Sequence, residues 1–373
     1  MQEGSPSRQV DRTPRGFSRR LFLTGAAATG AALVLPREGL LLPSSARAAE
    51  NGRSWDVQSV DMMKVTQDFM RTPADTKHID AAMEFVDDVG ATHVAIETMY
   101  DSGGRQFDQI GQTQTWVDVI RVHNKGVVHR HTDTRFQGFY DQQKKDLDFT
   151  HEIYTYIVDN PGFFATGDIF APFPEPQNGG VNGLNGCEQN VCQYESVDDF
   201  NRQLQAYIEV SKEAFKAIGF NEGDIRVGYY GFDGFVVAGL NNPDWEGKSF
   251  LTPETVAALG NVITVDHYPD DGDSIGDDYR KMEAVWPDAQ FAVGEFGPKG
   301  HADASVSDED MLEGYRRDLE ALQQDERIIF LNAWPFLGGD DRESGILYVA
   351  STDSFVPGMI YDSLRAAFRP QAA

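Results

Sequence analysis

The chain is poor in cysteine. It has two in 373 residues, Cys187 and Cys192, both in the Gly/Asn-rich stretch NGCEQNVCQ. So few exclude a disulfide framework, and without a neighbouring histidine they exclude a zinc finger. Long hydrophobic runs are lacking too. The run Gly25–Leu35 is only about half of the roughly 20 residues that span a bilayer, and no 18-residue apolar run follows it. Basic residues are scarce: 32 Lys and Arg stand against 59 Asp and Glu, for a formal charge of −27. Such a field repels nucleic acid, anionic lipid and acidic polysaccharide. There is no internal repeat, which excludes a solenoid. The first predicted strand runs on through Val60-Asp61-Met62-Met63-Lys64-Val65-Thr66 with no Gly-rich turn, which argues against a dinucleotide fold.

Five of the arginines cluster at the start. Arg8, Arg12, Arg15, Arg19 and Arg20 precede the apolar Gly25–Leu35, and Ala46-Arg47-Ala48 closes the segment with small residues. This is the three-part layout of an export signal over residues 1–48. Ser18-Arg19-Arg20-Leu21-Phe22-Leu23 resembles the twin-arginine signal, whose route carries folded proteins. The expectation is a protein that folds in the cytoplasm and acts outside, free of the membrane once the signal is cleaved. In that setting a local Cys187–Cys192 disulfide is reasonable, with two free thiols as the alternative.

From residue 49 onward, short apolar runs alternate with amphipathic ones. Strands are predicted at Val57–Met62, His93–Glu97, Gly126–His131, Phe164–Phe170, Ile225–Tyr230, Val262–Asp266, Phe291–Gly294 and Ile328–Ala333. Helices are predicted at Ala81–Val89, Thr115–Val122, Gln142–Val158, Val197–Ile218, Pro253–Leu259, Ile275–Val285, Asp308–Leu322 and Phe355–Phe368. Ser196 and Ser307 supply N-caps. Near-continuous apolar strands are those of a parallel sheet buried on both faces. Eight such pairs predict an α/β chain, a (β/α)₈ TIM barrel over residues 49–373, with a doubly wound open sheet as the competitor. The long Gly/Pro/Asn-rich loops Ala171–Ser196 and Gly231–Leu251 follow strands, while the connection Gly219–Asp224 precedes one and is short. The face to search for chemistry is therefore the C-terminal end of the strands.

Carboxylates, imidazoles and aromatics gather there: Glu97, then His129-Arg130-His131, Glu175, Tyr229, Tyr230 and Asp233, Asp266-His267-Tyr268, Glu295, and Asn332 with Trp334. Burying such groups unpaired is costly, so a purely structural reason for the pattern is weak. Glu175 and Glu295 follow strands four and seven, which face each other across a barrel mouth. Two carboxyl groups flanking one bond are what glycoside hydrolysis requires.

Phe291-Ala292-Val293-Gly294-Glu295-Phe296-Gly297 resembles the strand-seven nucleophile motif of the clan A glycoside hydrolases, family 5 especially. Phe173-Pro174-Glu175-Pro176 is similar to the strand-four acid/base motif, and Asp266-His267-Tyr268 to the His-x-Tyr region of strand six, with His and Tyr adjacent here. Trp334 resembles the aromatic platform beneath the first sugar. The resemblance implies a retaining hydrolase of β-linked sugars that needs no cofactor, with Glu295 as nucleophile and Glu175 as acid/base. It implies a carbohydrate pocket that includes Trp334, Tyr268 and His267, and the places of His131, His129 and Tyr230 at the strand ends add them as candidates to line it. One position departs from the family: Pro174 stands where an Asn normally precedes the acid/base and holds a sugar hydroxyl. Asn178 is a replacement donor within reach of the loop, and Glu188 and Glu195 are fallback acids.

Two other readings stay open. His129 and His131 lie on one side of a strand, which suits a metal, so a metal-dependent barrel hydrolase using His129, His131, Asp266 and His267 is one alternative. A sugar-binding barrel without turnover is the other. The acidity itself predicts salt adaptation, because screening removes self-repulsion. Thermal stability and activity should be higher in molar salt than below about 0.2 M, where the Debye length is near 8 Å or more. A salt titration of both checks this.

Overall fold

Eight short runs rich in β-branched and aromatic residues form the strands: β1 Val57–Asp61, β2 His93–Glu97, β3 Gly126–His131, β4 Ile169–Pro172, β5 Arg226–Val227, β6 Val262–Asp266, β7 Gln290–Phe296 and β8 Ile328–Ala333. The structure, a computed structural model, describes residues 54–62, 76–97, 109–131, 149–182, 193–268, 274–298, 307–334, 347–351 and 354–369. The predicted export segment, Cys187, Cys192 and Glu188 lie outside these residues.

The strands pair in parallel in the order β5-β4-β3-β2-β1-β8-β7-β6. The two ends of this order meet through one residue. Phe232 donates its N–H to Thr264 O at 3.0 Å and accepts from Asp266 N–H at 2.9 Å. It bridges β6 in parallel and closes the (β/α)₈ barrel. Strand five is shorter than the predicted Ile225–Tyr230, because Gly228 turns to φ +115° and interrupts the pairing. Strand four begins later than predicted, at Ile169, after a short 3₁₀ turn at Pro161–Phe163.

Helices α1 Thr76–Val89, α2 Gln109–Val122, α3 Phe149–Asp159, α4 Val197–Ala217, α5 Gly234–Ala238, α6 Pro253–Ala258, α7 Ile275–Val285, α8 Asp308–Gln323 and α9 Tyr361–Phe368 complete the units. Ser196 and Ser307 cap α4 and α8 as predicted, accepting from Asp199 N–H and Asp310 N–H at 3.1 Å each. The last predicted helix is only half helical. Leu347–Ser351 (β9) and Ser354–Pro357 (β10) form a hairpin, and α9 starts after Pro357-Gly358.

Period-two alternation decides what the barrel encloses. Val57, Ala95, Val128, Ile169, Ala292 and Phe330 pack into one small cluster. The opposite residues, such as Val60, Val94, Val127 and Phe170, join the larger cluster shared with the helices. Continuing the enclosed columns toward the strand ends replaces apolar side chains by Asp61, Glu97, Arg130, Asp266 and Asn332. The barrel is thus apolar below and charged at its mouth.

At the opposite end, Asp168 ties β3, β4 and α2 together. Its fully buried carboxylate pairs with Arg121, accepts from Val127 N–H and Ala165 N–H at 2.9 Å each, and meets His129 Nε2 at 3.4 Å. Those donors hold its pKa at about 2, against an ordinary 3.8 and against burial. Asp168→Ala should cost about 3–5 kcal/mol in denaturant unfolding, since it leaves buried donors unpaired. The folded pKa lies below the unfolded one, so the wild-type contribution, roughly 2 kcal/mol, is complete above about pH 4 and is lost as pH falls toward 2. Acid unfolding of wild type and variant should converge over that window.

Candidate active site

Glu175 is placed by strain. It follows β4 in the turn Phe173-Pro174-Glu175-Pro176, and Phe173 and Glu175 take φ of +61° and +52°. Both precede a proline, a position normally driven to extended backbone. Each such residue costs about 1–3 kcal/mol and persists only where the surroundings enforce it. Phe173 is buried against Phe149 and Tyr207, and Pro176 opens a 3₁₀ turn (Pro176–Gly179). Asn178, in that turn, acts on the Glu175 carboxylate as a hydrogen-bond donor and lowers its pKa. Glu195 is exposed and takes no part.

Glu295 is placed by a bulge. The pairing of β7 slips between Val293 and Phe296 on one side and opposite Val265/Asp266 on the other. Bulges re-aim a side chain, and this one sets Glu295 beside Asp266 at the mouth. Asp266 is clasped between glycines. A Cβ on Gly231 would come 1.8 Å from its Oδ2, and a Cβ on Gly294 2.0 Å from its Oδ1. Oxygens of Glu175, Asp266 and Glu295 lie within 4.8 Å of one another.

One cation organises them. Arg130 Nη1 donates to Asp61 Oδ2 at 2.9 Å and to Glu295 Oε1 at 3.0 Å. Its Nη2 stands 3.9 Å from Glu175 and 4.0 Å from Asp266. Asn332 donates to Asp61 Oδ2 at 3.0 Å and to Gly294 O at 2.8 Å, which braces Asp61 and the bulge together. Burial raises Glu295 to about 7, against the pull of Arg130 and with a further push from Glu175. Burial also raises Glu175, where Arg130 opposes and Asp233 and Glu97 reinforce. Asp266 is pushed well up by burial and by Glu295. Protons are therefore shared within the group, and geometry breaks the tie: Glu295 receives the guanidinium hydrogen bond and Glu175 does not.

The remaining predicted residues divide. Trp334 and Tyr268 meet edge to face at the mouth, ring centroids 6.5 Å apart. The Tyr268 hydroxyl is buried with no hydrogen-bond partner among the described residues. His267 turns Nε2 to Asp278 at 2.9 Å and lines a cavity beside the mouth. Three assignments need correction. Tyr230 is fully buried, packs on Phe232 and donates its hydroxyl to Leu204 O at 3.2 Å, so it belongs to the core. His129 sits beside Asp168 and Phe164, and His131 stacks on Tyr156 at 4.1 Å. Both face the helices, because Arg130 between them faces the barrel mouth. Asp61, Arg130, Asp233 and Asn332 were not selected as site residues from sequence, and Asp266 only as a ligand in the metal alternative, although all but Asp61 stand in the strand-end pattern.

The two histidines are thus directed away from Asp266 and His267, and a shared metal site is not built. Among the described residues the only cluster with metal-ligand spacing is Glu175, Asp266 and Glu295. Arg130 stands within 4.0 Å of all three and already supplies their positive charge.

No family model and no curated protein matches the chain. Solved structures do. ZgEngAGH5_4 is 12% identical, with a TM-score of 0.54 over 88% of this chain and 98% of its own. A β-glucosidase from Thermotoga maritima in complex with castanospermine is 13% identical, with a TM-score of 0.50 over 83% and 96%. A GH2 β-galacturonidase from Eisenbergiella tayi bound to galacturonate is 13% identical, with a TM-score of 0.50 over 85% of this chain. The chain spans 52% of that longer protein's length. The likeness is one of fold, the (β/α)₈ barrel.

Arg130→Ala removes the cation from this group. The Glu295 carboxyl should then titrate higher than its present value of about 7, by roughly one to three pH units. Arg130→Lys should restore part of the difference. Carboxyl-carbon NMR titration of both variants measures it.

Proposed function

We propose that this protein is a retaining glycoside hydrolase of β-linked sugars, with Glu295 as nucleophile and Glu175 as acid/base. The observation that carries the reading is the approach of the two glutamates, from β7 and from the β4 turn, to within 4.8 Å over one barrel mouth. Retaining enzymes hold their carboxyl groups about 5–5.5 Å apart, and inverting ones leave about 6.5–9.5 Å for a water. The solved neighbours, named as a β-glucosidase and a β-galacturonidase, support the same chemistry on the same fold.

The roles follow from the asymmetry around Arg130. Hydrogen-bonded to the guanidinium, Glu295 is the group that loses its proton and attacks the anomeric carbon. Glu175, raised by burial and lacking that bond, keeps its proton and delivers it to the leaving oxygen as the glycosidic bond breaks. A glycosyl ester on Glu295 results. Glu175, now ionised, takes a proton from water, whose oxygen displaces Glu295 and returns the original anomeric configuration. Trp334 and Tyr268 offer ring faces for a sugar beside the pair. Export by the twin-arginine route and action outside the cell belong to this reading.

The test is a hydrolysis screen over aryl β-glycosides and β-glucans, mannans, xylans and galactans, with the product anomer followed by NMR. Retention is expected; an inverted first product would refute the double displacement. Glu175→Gln should lower kcat on unactivated substrates by roughly 10²–10⁴-fold. Glu295→Gln should abolish turnover of activated glycosides as well, and undiminished activity in either variant would overturn its role.

A further inference from the structure

Beside the glutamate pair lies a cavity of about 500 Å³, lined among others by Asp233, Phe235, Asn241, Asp266, His267 and Tyr268. That is within the range of small-molecule sites, about 300–1,000 Å³. Its charge is one-sided. Among the described residues two carboxylates line it and no lysine or arginine does, and His267 is turned to Asp278. Asp266 is only 6% exposed, yet its Oδ1 has no hydrogen-bond partner among the described residues. The nearest cation, Arg130, stands 4.0 Å from it and is spent on Asp61 and Glu295. Asp233 has one neutral donor, Gln177.

A buried carboxylate that shares its one nearby cation with three other carboxylates is costly, and the hydroxyls of a neutral sugar supply donors but no charge. A uronic acid would add a further anion. A protonated amine supplies three donors and the missing charge at once. We propose that the substrate is an amino sugar, a β-linked 2-amino-2-deoxy glycoside, whose ammonium group is received by Asp233 and Asp266 in this cavity. The inference rests on the glycosidase reading and names its substrate class. Burial holds the Asp233 carboxyl up at about 6 and pushes Asp266 up as well, so an arriving ammonium ion expels protons from them.

The experiment is calorimetric binding to the full-length Glu295→Gln protein at pH 6.5. The probes are 4-nitrophenyl 2-amino-2-deoxy-β-D-glucopyranoside, its N-acetyl counterpart, the plain glucoside and the glucuronide. The singly charged monomers avoid polyelectrolyte attraction to an acidic surface. The amino glycoside should bind about tenfold or more tighter than the glucoside, the worth of a charge-assisted contact, with proton release visible across buffers of different ionisation enthalpy. Adding Asp233→Asn should shrink the amine-to-glucoside ratio at least about threefold. Adding Glu326→Gln, at an exposed carboxylate between α8 and β8, should leave the ratio in place. Equal affinities, preference for the glucuronide, no measurable binding of the amine at millimolar concentration, or a ratio that Asp233→Asn does not move would each overturn the proposal. Wild-type turnover is read separately. Retaining hydrolysis of the glucoside with no amine preference defeats only the amino-sugar proposal, whereas amine-selective binding with no hydrolysis of any probe defeats the hydrolase reading.

Discussion

A single guanidinium amid carboxylates is the constraint on which the mouth of this barrel depends. Arg130 is buried, and it joins Asp61 at the end of β1 to Glu295 at the bulge of β7, with Glu175 and Asp266 within 4.0 Å. Removing any large share of these charges from water is expensive, and their mutual attraction compensates only when geometry is held. The fold supplies that geometry. Asn332 braces Asp61 and Gly294 from β8, and Phe232 locks β6 to the segment after β5 so that Asp266 cannot move independently.

Both glutamates depend on irregular backbone rather than on regular strand. Glu175 is held in left-handed conformation between two prolines, and Glu295 by an extra residue in the β7 ladder. The glycines around Asp266 serve the same end, because a methyl group at Gly231 or Gly294 would overlap its carboxylate. Local departures from ideal geometry are where this barrel spends stability on positioning.

Much of the architecture was legible in the sequence because burial on both faces leaves strands as plain apolar runs, and six of the eight predicted strands overlap the observed ones by two-thirds of their length or more. Where the reading slipped, a glycine or proline was responsible: Gly228 cut strand five short, and Pro357-Gly358 delayed the last helix. The same two-sided burial hid the facing of β3. His129 and His131 do share one side of the strand, as their spacing requires, but an apolar environment on both sides gives no sign of which side that is. Only the packing of Val128 inside the barrel shows that Arg130 faces the mouth and the histidines face the helices. Tyr230 was misplaced for a related reason, since the break at Gly228 changes which side of the chain it presents.

By itself the sequence determined the order of alternating strands and helices and the acidic character, and it offered Glu175 and Glu295 as candidates, because these rest on local periodicity and short motifs. The tertiary structure decided which charges share a space. Asp61, Arg130, Asp266 and Asn332 are separated by as many as 271 residues, as Asp61 and Asn332 are, and only closure of the barrel brings their strand ends together. Electrostatic coupling falls with distance and grows with burial, and neither quantity exists until the chain has folded.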